Sequence, residues 1–149
     1  MNIEEYGGKI TSEMMELLLS ADPDEVKIRS YLPESKILVC LDNKSCIGIA
    51  VLTVCDEIFE LKNIAIVSSQ QGKGIAKLII AEIKILAKSL GATHIEVGTG
   101  NSSLSQLALY QKCGFRMSHI EPNFFEHYPE PIFENGIRCI DMVRLSARL

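Results

Sequence analysis

The sequence predicts an α+β domain with a mixed, mostly antiparallel sheet of about seven strands and flanking helices. Three observations carry this. Apolar, β-branched segments at Lys36–Leu41, Cys46–Cys55 and Ile58–Val67 follow one another across short polar turns, the pattern of an antiparallel meander. The period then changes. Ile75, Ile79, Ile83, Leu86 and Leu90 are spaced four, four, three and four residues apart, which is one stripe of a helix. The rest alternates strand, helix and strand, and that order requires a crossover.

Each element has a local reason. A possible short strand at the N-terminus brings the strand count to seven. Thr11–Ser20 carries Met14, Met15, Leu17, Leu18 and Leu19 and reads as a helix. In Asp22-Pro23-Asp24-Glu25, Asp22 suits an N-cap, Pro23 the first helical position and Glu25 a capping box. The helix this starts runs to about Leu32, where Pro33 stops it. Asp42-Asn43-Lys44 and Asp56-Glu57 are turn chemistry between strands. Gly91 sits at the C′ position of the long helix. Thr93–Val97 reads as a strand, Leu104–Cys113 as a helix ending at Gly114, and Phe115–Ile120 and Ile137–Leu145 as the last strands.

Composition narrows the function classes. A chain of 149 residues, 47% hydrophobic and 23% charged, is expected to form one folded domain over residues 1–149. A net charge of -4 argues against a nucleic-acid partner. No run approaches the ~18 apolar residues of a membrane span, and Met1–Ile10 lacks a cationic, apolar leader. A cytoplasmic protein with no membrane partner is expected. The five cysteines include no C-x-x-C pair, so reduced thiols are expected, with Cys40, Cys46 and Cys55 buried among apolar neighbours. His94, His119 and His127 are not spaced as metal ligands. Glu126, His127, Glu130 and Cys139 can be drawn as a ligand set, but nothing fixes their geometry, and no metal is expected.

The most informative stretch is Val67-Ser-Ser-Gln-Gln71-Gly72-Lys73-Gly74-Ile75-Ala76, between a strand and a helix. Glycines there let backbone approach a ligand, and the first helical turn offers unpaired N–H groups at a positive dipole end. Lys73 and Lys77 add positive charge. Such a segment suits a pyrophosphate; the same glycines also suit a plain tight turn. A phosphate-binding P-loop would need Ser or Thr after Lys73. A dinucleotide fingerprint would need a third glycine and a parallel sheet.

Gln71-Gly72-Lys73-Gly74-Ile75-Ala76 resembles the acetyl-CoA motif of GNAT acetyltransferases, Gln/Arg-x-x-Gly-x-Gly/Ala, with every fixed position filled. Glu60-Leu-Lys-Asn-Ile-Ala-Ile-Val67 resembles the family's fourth strand. Leu109-Tyr110-Gln-Lys-Cys-Gly114-Phe115 resembles its second motif, Leu-Tyr-x-x-x-Gly-Phe. The resemblance runs from about Cys46 to Phe115, in the right order. It implies the GNAT fold, acetyl-CoA as co-substrate and an N-acetyltransferase of the bacterial small-molecule type.

The resemblance also implies roles. Gln71, Gly72, Lys73, Gly74, Ile75 and Ala76 would hold the pyrophosphate. The backbone of Ile64, Ala65, Ile66 and Val67 would face the thioester carbonyl and the pantetheine amides. Tyr110 matches the general acid for the leaving thiolate. Full transfer from a Tyr near pKa ~10 to a thiolate near ~8.5 is uphill by about 2 kcal/mol, so Tyr110 either gives its proton or only hydrogen-bonds the sulfur. Glu60 matches a general-base position, because an attacking alkylamine must first lose a proton; a role as substrate anchor stays open. The family commonly has Asn seven residues before the Tyr and Ala four before it. Here those positions are Ser103 and Gln106, with Asn101 nine before, so either Asn101 or Ser103 is the pantetheine contact.

The segment Glu121–Gly136 carries Glu121, Glu126, Glu130 and Glu134, the aromatics Phe124, Phe125, Tyr128 and Phe133, and no Lys or Arg. Carboxylates beside aromatic faces suit an ammonium group, and in the family this connection borders the acceptor cleft. A primary amine on a small cationic molecule is therefore the expected acceptor. The same aromatics also suit core filling or a dimer contact, which leaves a homodimer open. The alternative function is a non-catalytic acetyl-CoA sensor or regulatory GNAT module.

Overall fold

Continuous buried runs along Lys36–Asp42 and Ser45–Cys55 and a single buried stripe on the long helix organise the chain in the computed structural model, which describes residues 1–149. Backbone contacts gather into two units, Met1–Ala92 and Thr93–Leu149.

In the first unit, β1 (Asn2–Glu5), β2 (Lys36–Asp42), β3 (Ser45–Cys55) and β4 (Ile58–Ile66) pair in that order, all antiparallel. Asn43 and Lys44, then Asp56 and Glu57, take φ of 49° and 68° in turn. Paired positive φ makes both connections two-residue type I′ hairpins, whose twist matches that of the strands. Helices α1 (Ser12–Ala21) and α2 (Glu25–Tyr31) cover one face. There Met14, Met15, Leu17, Leu18 and Ile28 meet Ile37, Val39, Ile49, Val51 and Ala65. Helix α3 (Ile75–Ser89) covers the other face with Ile75, Ile79, Ile80 and Ile83 buried. It packs closely because Gly48 lacks a side chain: a Cβ there would lie 2.9 Å from both Ile66 Cδ1 and Ile79 Cδ1.

The second unit holds β5 (His94–Gly100), α4 (Leu104–Lys112), β6 (Arg116–Glu121), a small hairpin of β7 (Phe133–Glu134) and β8 (Ile137–Arg138), and β9 (Met142–Arg148). Strand β9 pairs antiparallel with β5 on one side and β6 on the other. Four ladder strands in the first unit and three in the second make up the seven expected.

Several local expectations are corrected. The cap of α2 is Asp24, whose side chain accepts from Lys27 N–H, while Asp22 Oδ1 accepts from Asp24 N–H one step upstream. The segment expected as one strand, Ile137–Leu145, breaks in two: Ile137–Arg138 closes a hairpin and Met142–Arg148 joins the sheet. Cys40 is buried, but Cys46 is half-buried and Cys55 exposed, since Cys55 borders the Asp56–Glu57 turn; all five thiols are free.

Candidate active site

In the first unit the Gly-rich stretch forms an open cradle. A short 3₁₀ turn at Ser68–Gln70 leads from β4 to Gly72 and Gly74, which take φ of 78° and 82°. Only glycine occupies that region without strain. A Cβ at either position would meet nothing within 4 Å, so the space above the loop is open. The first backbone bond of α3 runs from Leu78 N–H to Gly74 O. The N–H groups of Ile75, Ala76 and Lys77 precede it, and the N-cap Gly74 has no side chain to satisfy them. Lys73 and Lys77 are exposed beside this end. Gln71 braces the loop, its amide donating to Ile66 O at 3.0 Å. The arrangement offers an anion backbone donors, two cations and the positive end of a helix dipole.

Strand β4 supplies the second feature. Leu61 pairs with Leu52 and Asn63 with Val51, so Lys62 is an inserted residue, a β-bulge. The bulge resets which face each side chain takes. Glu60 lies opposite Thr53, on the face of Val51 and Ile49 that α1 and α2 cover. Asn63 and Ala65 take the same face, although Glu60 and Ala65 are five residues apart. Val67 N–H donates to Ile47 O at 2.9 Å. By ladder alternation Ala65 N–H points the same way, toward β3. Of the four residues expected to face the thioester, Ile64 and Ile66 aim their N–H groups away from β3.

A polar group gathers on that α1/α2 face. Glu60 Oε2 lies 3.6 Å from Lys62 Nζ, and that ammonium sits 5.9 Å from the centroid of the Tyr31 ring. Asn63, 5% exposed, donates through Nδ2 to Leu18 O and to Tyr31 Oη, both at 3.1 Å. Its Oδ1 is buried without a partner. Burial pushes the Tyr31 hydroxyl up to about 12; the Asn63 bond opposes this, and the Asp22 and Glu60 carboxylates add to it. Sequence reading assigned no role to Tyr31, Lys62 or Asn63. The sequence shows only two adjacent polar residues, Lys62 and Asn63, which plain alternation would set on opposite faces.

In the second unit Tyr110 is 5% exposed and meets Phe115 edge-on at 5.8 Å. Burial first, and the neighbouring Cys113 second, hold its hydroxyl above the ordinary tyrosine value. Asn101 and Ser103 have internal partners. Asn101 Oδ1 accepts from the N–H groups of Ile140 and Asp141, and its Nδ2 donates to Arg138 O. Ser103 Oγ donates to Glu134 Oε1 at 2.8 Å, as does Ser102 Oγ at 3.0 Å. Glu134 is thereby tied to the start of α4. A pantetheine contact from either Asn101 or Ser103 has to add to these bonds or replace them.

The acidic segment is only partly what its composition suggested. Glu126 and Glu130 are exposed, beside half-buried Phe124, Phe125 and Tyr128 that touch edge to face. Glu134 is engaged, as above. Cys139 is buried and bonded to Ser102, and no three His, Cys, Asp or Glu side chains stand close enough to hold a metal ion.

Residues 8–115 match the model of the acetyltransferase (GNAT) family. The uncharacterized N-acetyltransferase YvbK of Bacillus subtilis is 45% identical over 143 residues, 95% of this chain and 92% of that protein. A Bacillus subtilis acetyltransferase crystallised in complex with CoA superposes with a TM-score of 0.94 at 44% identity, covering 99% of this chain and 97% of that one. A GNAT family acetyltransferase from Elizabethkingia anophelis with acetyl-CoA bound gives 0.93 at 40% identity, with 99% and 97% covered. The chain belongs to the GNAT acetyltransferase family.

Proposed function

We propose that the protein, as one GNAT domain over residues 1–149 acting in the cytoplasm, moves the acetyl group of acetyl-CoA directly to a primary amine of a small cationic molecule. The observation that carries the reading is the Gln71–Ala76 cradle, with open space over two left-handed glycines and uncapped N–H groups at the start of α3. Acetyl-CoA is the co-substrate, its pyrophosphate taken by that cradle beside Lys73 and Lys77.

The chemistry needs three services. Glu60, its carboxylate 3.6 Å from Lys62 Nζ, takes a proton from the acceptor ammonium, directly or through water, so that the nitrogen lone pair can attack the thioester carbon. The resulting oxyanion calls for preorganised donors, which can contribute a few kcal/mol. Ile64 and Ile66, whose N–H groups point away from β3, are the best placed of the four residues considered. As the C–S bond breaks, the nitrogen gives up its second proton to water to form the amide, and CoA leaves as a thiolate. A tyrosine held above its ordinary pKa gives up its proton less readily than an exposed one, so burial of Tyr110 favours hydrogen-bond donation to the sulfur over full transfer.

For the acceptor, exposed Glu126 and Glu130 beside an aromatic cluster support selection of a cation by Coulomb and cation–π attraction. The test is thiol release from acetyl-CoA, read with a disulfide dye across an amine library. Polyamines, aminoglycosides and Lys-containing peptides are expected to outperform neutral and anionic amines of similar size. Replacing Glu126 and Glu130 together by Gln is expected to raise KM for the cations, by less in high salt. Preference for anionic amines overturns the acceptor assignment. Tight acetyl-CoA binding with no release for any amine replaces the enzyme by the sensor.

A further inference from the structure

Strand β6 ends the strand order, and its outer edge pairs with no other strand of the chain. An open edge offers backbone donors and acceptors to another strand, and proteins usually blunt it with Lys, Pro or a covering loop. The six residues of β6, Arg116-Met117-Ser118-His119-Ile120-Glu121, carry no Lys or Pro, and Pro122 follows immediately; their protective devices are one bulge and the charges of Arg116 and Glu121. Met117 is 55% and Ile120 51% exposed.

Their placement follows from a bulge. Met117 pairs with Leu145 and Ile120 with Val143, and the register slips between Met117 and His119. Leu145 and Val143 are two apart on β9 and share a face. Met117 and Ile120, three apart, therefore share that face too. Arg116 and Glu121 pair with Ser146 and Met142, on the opposite face.

The strand is complementary to itself. Laid antiparallel against a second copy, with Ser118 opposite His119, it sets Arg116 opposite Glu121 and Met117 opposite Ile120, each pair twice. Slipping by one residue breaks both charge pairs and sets side chains of opposite faces against each other. We propose that two copies of this chain associate through β6, antiparallel, about a twofold axis perpendicular to the sheet. The axis keeps faces matched, so Met117 and Ile120 of both copies form a four-side-chain apolar cluster on one face, while two Arg116–Glu121 pairs close the other. Opposite charges and apolar pairs directly across an antiparallel ladder are each favourable, and a twofold interface of this kind is closed, so it does not propagate into fibres. The interface concerns β6 alone and stands apart from the acetyl-transfer reading.

Sedimentation velocity on the full chain, over roughly three decades of concentration around micromolar, tests this. The parent is expected to show a reversible monomer–dimer equilibrium. Arg116→Glu sets carboxylate against carboxylate twice, and Glu121→Arg sets guanidinium against guanidinium twice. Each is expected to raise the dimer Kd by about tenfold. The double exchange Arg116→Glu with Glu121→Arg restores the parent Kd. An equimolar mixture of the two single variants forms a heterodimer tighter than either homodimer, which also shows that both variants are folded. A parent that stays monomeric throughout overturns the proposal. So does a Kd unmoved by the single changes, or a mixture no tighter than its components.

Discussion

Gly74 separates what the backbone needs from what the ligand needs. At φ 82° an L-residue costs roughly 1–2 kcal/mol. At roughly 2–4 °C per kcal/mol for a chain of this size, Gly74→Ala is expected to lower Tm by about 2–8 °C. Its Cβ meets nothing within 4 Å, so the cradle stays open and acetyl-CoA still binds. Ligand at ~100 times Kd adds about 2.7 kcal/mol to the folded state, a Tm rise of about 5–11 °C. Gly74→Glu suffers the same backbone cost but sets a carboxylate where the pyrophosphate is proposed to lie. Two like charges about 4 Å apart near a protein surface repel by about 4 kcal/mol, roughly a thousandfold in affinity, so the rise disappears at the same ligand concentration. Gly74→Asn, better suited to a left-handed backbone, is expected to lose less Tm than Gly74→Ala. The assay is thermal unfolding with and without acetyl-CoA for the parent and all three variants. A parent-sized rise in Gly74→Glu refutes the placement of the pyrophosphate, and loss of the rise in Gly74→Ala refutes the separation of backbone cost from binding.

Tyr110→Phe is expected to lower turnover by roughly 10–100-fold, the worth of a hydrogen bond to a charged group, while the acetyl-CoA thermal shift stays near the parent value; equal losses in both would make Tyr110 a binding residue. Glu60→Gln is expected to push the pH profile of kcat/KM upward if the carboxylate is the base, and to raise only the amine KM if it is an anchor. Tyr31 gives a stability prediction at alkaline pH. Its folded-state value of about 12 lies above the ordinary 10, so the protonated phenol's contribution is complete below about pH 10 and is lost as pH rises toward about 12. Tyr31→Phe, with no proton to lose, is expected to show a smaller fall in denaturant midpoint between about pH 9 and about pH 11.5 than the parent; an equal fall removes Tyr31 from the alkaline response.

The sequence made legible whatever rests on local chemistry or a long period. The stripe from Ile75 to Leu86 had to be one helix face, and Gly72 and Gly74 had to mark a backbone other residues avoid. The Asn43 and Glu57 turns follow from short polar breaks between apolar runs. Bulges have no such signature, because an inserted residue changes only which hydrogen bonds slip. Plain alternation on β4 would have put Glu60 with Ile64 and Ile66 rather than with Asn63. The choice of Asp24 over Asp22 as cap depends on where the chain first turns helical after Pro23, and both residues are chemically able. The tether of Glu134 to Ser102 and Ser103 joins positions more than thirty residues apart, and composition cannot tell a tethered glutamate from Glu126, which stays exposed.

The residue inserted at Lys62 changes how the strand counts. A strand sorts side chains by parity, odd to one side and even to the other, and a single insertion reverses parity for everything upstream. Removing one residue between Glu60 and Asn63 would erase the bulge and leave the Glu60 carboxylate on the Tyr31 side; removing two would carry it through the sheet into the apolar layer under Ile79 and Ile83. The chemical address of this acid is therefore written in its spacing from Ala65 together with the bulge that absorbs the odd residue, and a relative that loses two residues there can keep the glutamate yet misplace it.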